Sequence, residues 1–223
     1  MIISVIIPTL NEADTIVDCL NPLQILRRHG HELIIVDGGS SDDTVTLAAP
    51  LCDRIIRSDK GRARQMNAGA GAAVGDIFLF LHADTIIPFA VADLLENRVQ
   101  CDSAWGRFDV RLSGTQPLLR TIEFFMNVRS RLTGIATGDQ AIFVTRVLFR
   151  KVGGFPDIEL MEDIELSKKL KRYCPALCLA DRVITSSRRW EQRGIIRTVW
   201  KMWSLRLRYL CGANPVLLAK DYD

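Results

Sequence analysis

The sequence lacks the features that mark several common classes of protein. It has no apolar run near the ~20 residues that a membrane-spanning helix needs. Met1-Ile2-Ile3 begins a strand with no basic flank, so no signal peptide is expected. No G-x-G-x-x-G follows the first apolar run and there is no Walker A loop, so the dinucleotide-binding and P-loop classes lack their fingerprints. Internal repeats, low-complexity tracts and linkers are also missing, which predicts one domain over residues 1–223.

The cysteines and the charge are unremarkable for a protein of the cytoplasm. Six cysteines stand mostly in apolar segments, which predicts reduced thiols and not a disulfide framework. Cys174 and Cys178 have no second pair with which to form a zinc site. The formal net charge is +3 and 25% of residues are charged, an ordinary composition that calls for no nucleic-acid partner.

Three short apolar runs in the first half predict strands buried on both faces, as in a parallel sheet. They are residues 2–7, 33–36 and 78–81, and residues 53–57 predict a further short strand between the last two. Helices are predicted between them, the first over residues 13–28 with a disturbance at Pro22. The order predicts an α/β fold with a mainly parallel, doubly wound central sheet flanked by helices.

The second half is predicted to alternate helices with isolated strands. Residues 104–112 alternate in polarity and predict an exposed or antiparallel strand. Residues 177–186 are predicted to form strands with a turn, and Pro215 to end regular structure. The other predicted elements are helices at 88–99, 118–132, 162–173 and 195–211, and a strand at 141–144.

The first-half strands end in polar or acidic residues, which would meet at one edge of a parallel sheet. Asp37, with the backbone near Pro8 and Thr9, can hydrogen-bond a base and ribose. Asp84 can bind a divalent cation that bridges diphosphate oxygens. The alternative is that Asp37 and Asp84 are ordinary turn residues.

Two further candidates come from charged residues beside predicted helices. The segment 61–64 (GRAR) can supply an arginine that neutralises phosphate, or it is a solvated basic helix start. Glu162 and Asp163 begin a predicted helix, where a negative charge interacts favourably with the helix dipole. A carboxylate there can equally act as a general base towards a hydroxyl.

Taken as a set and in order, six motifs resemble family 2 glycosyltransferases. They are residues 5–12 (VIIPTLNE), 36–44 (VDGGSSDDT), 67–69 (NAG), 82–84 (HAD), 153–155 (GGF) and 162–163 (ED). The resemblance implies the GT-A fold, with a nucleotide-binding half at about 1–87, an acceptor half at about 88–190, and a C-terminal helix and tail at about 191–223. It also implies an inverting transfer from a nucleotide-sugar donor, UDP-linked by preference, to an acceptor hydroxyl.

The resemblance assigns roles by position. It implies nucleoside contacts from Pro8, Thr9, Glu12 and Asp37, a diphosphate contact from Arg62, a metal ligand in Asp84 and the general base in Asp163. It implies further acceptor or diphosphate contacts from Glu162, Asp139, Gln140, Arg189 and Trp190. The Arg-Arg-Trp at 188–190 resembles the end of a motif of processive members, but the glutamine of that motif is absent, so a polymerase is not inferred. The pattern is most similar to a small soluble bacterial subgroup whose acceptors we cannot name.

The main departure from the family pattern is His82, which stands where an aspartate is usual. A neutral imidazole binds Mn²⁺ more readily than Mg²⁺, so His82 and Asp84 together predict a Mn²⁺ preference. Alternatively, His82 hydrogen-bonds a ribose or phosphate and Asp84 holds the metal alone. His82 also leaves open a catalytically impaired nucleotide-sugar-binding protein. A nucleotidyltransferase is a weaker alternative, because no glycine-rich phosphate loop follows strand one.

The last predicted helix has two interpretations. It can lie on an anionic membrane, as a peripheral contact at the inner face. It can instead pack Ile196, Val199, Trp203 and Leu207 on the sheet or on a partner subunit, which we favour because amphipathic helices are common in soluble proteins. Its basic and aromatic residues, with those just before it, are Trp190, Arg193, Arg197, Trp200, Lys201, Trp203, Arg206, Arg208 and Tyr209.

Overall fold

The computed structural model describes residues 1–222, which form one eight-stranded sheet with ten α-helices around it. The strands are β1 (Ile3–Thr9), β2 (Glu32–Asp37), β3 (Arg54–Arg57), β4 (Ile77–Phe80), β5 (Thr85–Ile86), β6 (Trp105–Leu112), β7 (Phe143–Thr145) and β8 (Leu177–Thr185). The helices are α1 (Ile16–Arg28), α2 (Thr44–Ala48), α3 (Arg62–Ala72), α4 (Val91–Arg98), α5 (Pro117–Thr133), α6 (Arg146–Lys151), α7 (Glu162–Leu170), α8 (Arg188–Arg193), α9 (Ile195–Leu210) and α10 (Pro215–Tyr222).

The sheet order is β3-β2-β1-β4-β7-β6-β8-β5. The first four strands pair in parallel, so the predicted β-α-β-α-β-α-β unit is confirmed. Beyond β4 the sheet becomes mixed: β7 is antiparallel to β4 and β6, while β6 and β8 are parallel. The segment 81–84 joins β4, inside the sheet, to β5 at its far edge.

Close packing between α3 and the sheet explains two residues of the 67–69 motif. A Cβ at Gly69 would lie 2.5 Å from Cγ2 of Ile6 in β1, so a larger residue would push the helix away. Asn67 donates to the carbonyl of Phe155 and accepts its N–H, at 2.8 and 3.0 Å. Gly69 therefore lets α3 approach β1 closely, and Asn67 ties α3 to the loop that follows α6.

The second half departs from prediction in two strands. β6 is almost wholly buried, so the prediction of an exposed strand is wrong. The antiparallel alternative is confirmed by the pairing with β7, although the pairing with β8 is parallel. Its polar alternation comes from Arg107, which is 0% exposed and pairs with Asp109. Residues 177–185 form one strand, not strands with a turn, because an irregularity between Phe108 and Asp109 of β6 accommodates the polar residues of β8.

The C-terminal region differs more. Pro215 begins α10 instead of ending regular structure, because Pro suits the first helical turn and Asn214 accepts the N–H of Val216 as a cap. Pro22 lies inside α1, which continues through it. On α9, Ile196, Trp203 and Leu207 are more than 60% exposed, so their predicted packing on the sheet is wrong. Within residues 1–222, no helix combines the length and apolar character that crossing a bilayer would need.

Candidate active site

A pocket of about 470 Å³ opens at the carboxyl edge of the parallel strands, and we call it the edge pocket. The ends of β1 and β4, the start of α3 and the helices α8, α9 and α10 form its walls. Nine of the predicted site residues line it. They are Pro8, Thr9, Glu12, Arg62, His82, Asp84, Asp139, Arg189 and Trp190.

His82 connects the strand end to the turn that contains Asp139. Its Nδ1 lies 3.6 Å from Oδ1 of Asp139, and a Cβ at Gly138 would collide with its Nε2. Partial burial opposes the charge of Asp139, but the hydrogen bond from His82 and the charge of Arg62 outweigh burial and lower its pKa. The imidazole is therefore held against the 138–139 turn and not against Asp84.

Arg62 is the first residue of α3 and projects into the same pocket. Burial opposes its charge, but Tyr222, Glu162 and Asp139 outweigh burial and raise its pKa. Arg62 therefore stays positively charged. It can bind a phosphate in place of these neighbouring groups, because a guanidinium forms two parallel hydrogen bonds with phosphate oxygens.

Asp163 sits in the first turn of α7 and is fixed by backbone donors. Its Oδ2 accepts the N–H of Gly138 at 2.9 Å, and its Oδ1 accepts the N–H of Ile164 at 2.7 Å. Burial and the neighbouring charge of Asp163 raise the pKa of Glu162 to about 7. Glu162 and Asp163 do not line the edge pocket itself, but Gly138 links Asp163 to the His82 side chain.

Two other predicted site residues, Asp37 and Gln140, accept hydrogen bonds from backbone N–H groups. The Asp37 carboxylate accepts the N–H groups of Gly39 and Ser40 at 3.1 Å. Gln140 is 0% exposed and forms a capping box with Thr137. Neither lines the edge pocket, so their predicted ligand contacts stay predictions.

Asp84 offers one carboxylate to a cation in the edge pocket, and Thr85 donates to it at 3.4 Å. Among residues 1–222, no three His, Cys, Asp or Glu side chains converge as a metal site. This donor set fits a divalent cation held by one carboxylate, phosphate oxygens and water, a usual arrangement for Mg²⁺.

Sequence reasoning missed the contribution of the C-terminal helices. Tyr222 of α10 and Met202 of α9 line the edge pocket, and the Arg189 guanidinium stacks 3.8 Å from the Tyr222 ring centre. Asn214-Pro215 was the available signal, because Asn is a good N-cap residue and Pro is common at the first position of a helix.

The strand order and the polar pocket at the carboxyl edge define a GT-A-type α/β domain. Residues 4–150 match the profile described as Glycosyl transferase family 2. The chain therefore belongs to glycosyl transferase family 2, and the family and fold expected from the resemblance are confirmed.

Known proteins support this placement. The chain is 26% identical to a poly-beta-1,6-N-acetyl-D-glucosamine synthase of Staphylococcus aureus over 97% of its own length, and it spans 55% of that protein. S. aureus TarS 1-349 in complex with UDP has a TM-score of 0.67 at 18% identity, covering 83% of this chain and 60% of TarS 1-349. The mannosyltransferase PcManGT from Pyrobaculum calidifontis, in complex with GDP-Man and Mn²⁺, has a TM-score of 0.67 at 19% identity, covering 99% of this chain and 69% of that chain.

Proposed function

We propose that the chain is an inverting glycosyltransferase that moves a sugar from a nucleoside-diphosphate donor, preferably UDP-linked, to an acceptor hydroxyl. The observation that carries this proposal is the edge pocket, which brings Asp84 and Arg62 together at the carboxyl edge of the sheet. The family assignment and the UDP-bound TarS structure support it. This chain spans only 55% of the poly-beta-1,6-N-acetyl-D-glucosamine synthase, so we do not assign the product of that synthase to this chain.

In the proposed reaction, Asp163 accepts the proton of the acceptor hydroxyl as its oxygen attacks the anomeric carbon. The bond from that carbon to the diphosphate breaks, and the diphosphate leaves with the electron pair. Arg62 stabilises the charge that develops on the leaving group. A divalent cation at Asp84 would supply Lewis-acid stabilisation of the same charge. The backbone N–H of Gly138 keeps the Asp163 carboxylate oriented during attack.

A thermal-shift screen of nucleotide sugars with Mn²⁺ tests the donor. The true donor should raise the melting temperature most, because a ligand that binds only the native state stabilises it by mass action. An absence of stabilisation by every nucleotide sugar and by UDP would contradict the proposal.

A catalytically impaired nucleotide-sugar-binding protein is the second candidate. The contact between His82 and Asp139 supports it, because it turns the imidazole away from Asp84. Slow donor hydrolysis without an acceptor favours the transferase, whereas UDP binding without hydrolysis of any donor favours the binder.

We further propose that donor binding requires a divalent cation at Asp84 and that Mn²⁺ is preferred to Mg²⁺. The His82 imidazole lies against Asp139. The preference requires it to turn towards the cation, because an imidazole nitrogen suits Mn²⁺ better than Mg²⁺. In calorimetric titrations, UDP should bind most tightly with Mn²⁺, less tightly with Mg²⁺ and about tenfold or more weakly with EDTA. Asp84→Asn should remove the difference between the metals and EDTA, and His82→Asn should remove only the difference between Mn²⁺ and Mg²⁺. Equal affinities in all three conditions would contradict the cation.

We also propose that α9 holds the protein on an anionic membrane as a peripheral contact. Successive helix residues turn by about 100°, which puts five exposed apolar residues on one arc of α9. They are Ile196, Trp200, Trp203, Leu207 and Leu210. The helix contains four cations and no acid, a composition that favours anionic lipid over a second copy of this basic chain. α5 exposes Phe124 and Phe125 as well, and it packs Leu119 against Ile195 of α9.

Co-sedimentation with vesicles tests this contact. The wild-type chain should pellet with vesicles that contain phosphatidylglycerol, and Trp200→Ser/Trp203→Ser should lower the affinity by about tenfold or more, because both indoles leave the interface. The matched control is Leu47→Ser/Val74→Ser, which changes exposed apolar residues elsewhere on the surface. Pelleting that is equal in both variants, or a dimer that only the tryptophan variant loses, would contradict membrane binding.

A further inference from the structure

A second cavity, of about 340 Å³, adjoins the edge pocket and is strongly basic; we call it the basic compartment. Arg193 of α8 and Arg197 and Lys201 of α9 line it. Arg189, Thr198, Met202 and Tyr222 line both cavities, so the two compartments share a wall.

Within residues 1–222, no acidic side chain pairs with the cations of the basic compartment. These cations are Arg189, Arg193, Arg197 and Lys201. Like charges that line one cavity repel one another, and a bound anion would relieve the repulsion.

One oxygen already occupies part of the compartment. The backbone carbonyl of Tyr222 accepts from Nη1 of Arg193 at 3.2 Å and from Nζ of Lys201 at 3.0 Å. A carbonyl oxygen carries no net charge, so it satisfies hydrogen bonds without compensating the cations. In the part of the chain that the structure describes, the Arg197 side chain has no hydrogen-bond or ion-pair partner at all. A phosphate oxygen at the position of the Tyr222 carbonyl oxygen could accept hydrogen bonds from the same two donors, Arg193 and Lys201.

We propose that the basic compartment binds a phosphate group of the acceptor, and this proposal rests on the transferase function proposed above. The donor diphosphate has its own counter-charges in Arg62 and the cation at Asp84, so the second set of cations is available to a second substrate. A shared wall places that substrate beside the donor. Guanidinium groups bind phosphate oxygens in pairs, which selects phosphate over a single carbonyl or hydroxyl.

The test measures binding of a phosphate probe while the donor site is filled. Glycerol 3-phosphate is titrated calorimetrically into the chain with saturating UDP and Mn²⁺, and glycerol serves as the uncharged comparison. The wild-type chain should bind the phosphate ester and not glycerol. Arg197→Gln/Lys201→Gln should lower the affinity for glycerol 3-phosphate by about tenfold or more, because two charge-assisted contacts are lost.

The matched control is Arg98→Gln/Arg172→Gln, which removes two positive charges from exposed residues outside both cavities. It should keep wild-type affinity for the probe. The affinity for UDP should stay within about twofold in every variant, because the altered residues lie outside the edge pocket. No saturable binding of glycerol 3-phosphate to the wild-type chain, or equal binding to the Arg197/Lys201 variant, would overturn the proposal.

Two further measurements identify the kind of phosphate that binds and distinguish failure of this proposal from failure of the proposed function. Dihexanoyl phosphatidic acid, used as a soluble monomer, carries the same phosphate with acyl chains: tighter binding than glycerol 3-phosphate assigns a lipid phosphate, and equal binding assigns a small phosphate ester. If the wild-type chain does not bind UDP, the proposed transferase function is refuted. If UDP binds normally and the phosphate probe does not, only the acceptor proposal fails.

Discussion

Asp163→Asn is expected to lower kcat for donor turnover by about 10²- to 10⁴-fold, because general-base catalysis contributes about that much. The affinity for UDP with Mn²⁺ should be unchanged, since Asp163 does not line the edge pocket. Release of UDP from the donor identified by the thermal-shift screen is the measurement. Asparagine keeps one acceptor oxygen for the N–H of Gly138, so the fold around α7 should persist.

Glu165→Gln is the matched control for this variant. Glu165 stands in the same first turn of α7, and its partner is Lys168. Like Asp163→Asn, Glu165→Gln removes one negative charge from the N-terminus of α7, but it leaves the contact with Gly138 intact. The kcat of this variant should therefore stay near the wild-type value. A kcat for Asp163→Asn within about threefold of the control would refute Asp163 as the general base.

Asp109→Ala is expected to destabilise the fold by about 3–5 kcal/mol, because it leaves a buried arginine without its counter-charge. Arg107 in β6 is 0% exposed and donates to Ser130 and to the carbonyl of Asn127 at 3.1 Å each. Asp109 also accepts from Arg131 of α5. Urea unfolding followed by circular dichroism measures the free energy of unfolding.

A surface pair provides the comparison. Asp157 pairs with Arg64 at 2.8 Å, but its side chain is 65% exposed, so Asp157→Ala should cost under about 1 kcal/mol. The double variant Arg107→Met/Asp109→Leu should recover much of the loss, because replacing a buried pair with apolar groups is often close to neutral. Equal, small losses for Asp109→Ala and Asp157→Ala would contradict the buried-pair account.

Three of the first four strands, β1, β2 and β4, could be predicted from the sequence because each is a short apolar run that is buried in the structure. The second half could not, because its polar residues pair across distant segments. Arg107 is typical of an exposed strand, and only its contacts with α5 account for its burial. The pairing of Asn67 with Phe155 joins motifs that are 88 positions apart in the sequence. The wall that Tyr222 adds to the edge pocket depends on where α10 docks, which no local pattern encodes.

The candidate site was predictable in its residue types and less so in its geometry. Five of the nine predicted residues that line the edge pocket lie at or just beyond the carboxyl ends of β1 and β4, which converge there, as they do in parallel sheets. They are Pro8, Thr9, Glu12, His82 and Asp84. The orientation of His82 towards Asp139 follows from Gly138, whose missing side chain leaves room for the imidazole.

The short segment that carries His82 and Asp84 is tied at both ends, to a strand inside the sheet and to a strand at its far edge. Its backbone therefore has little freedom left to lose when a ligand arrives. The conformational entropy of this loop's backbone is removed when the chain folds, so donor and cation meet a backbone that is already in position. Association should consequently show a small entropic penalty at this segment, and backbone order parameters of residues 81–84 should hardly change between the free and UDP-bound protein.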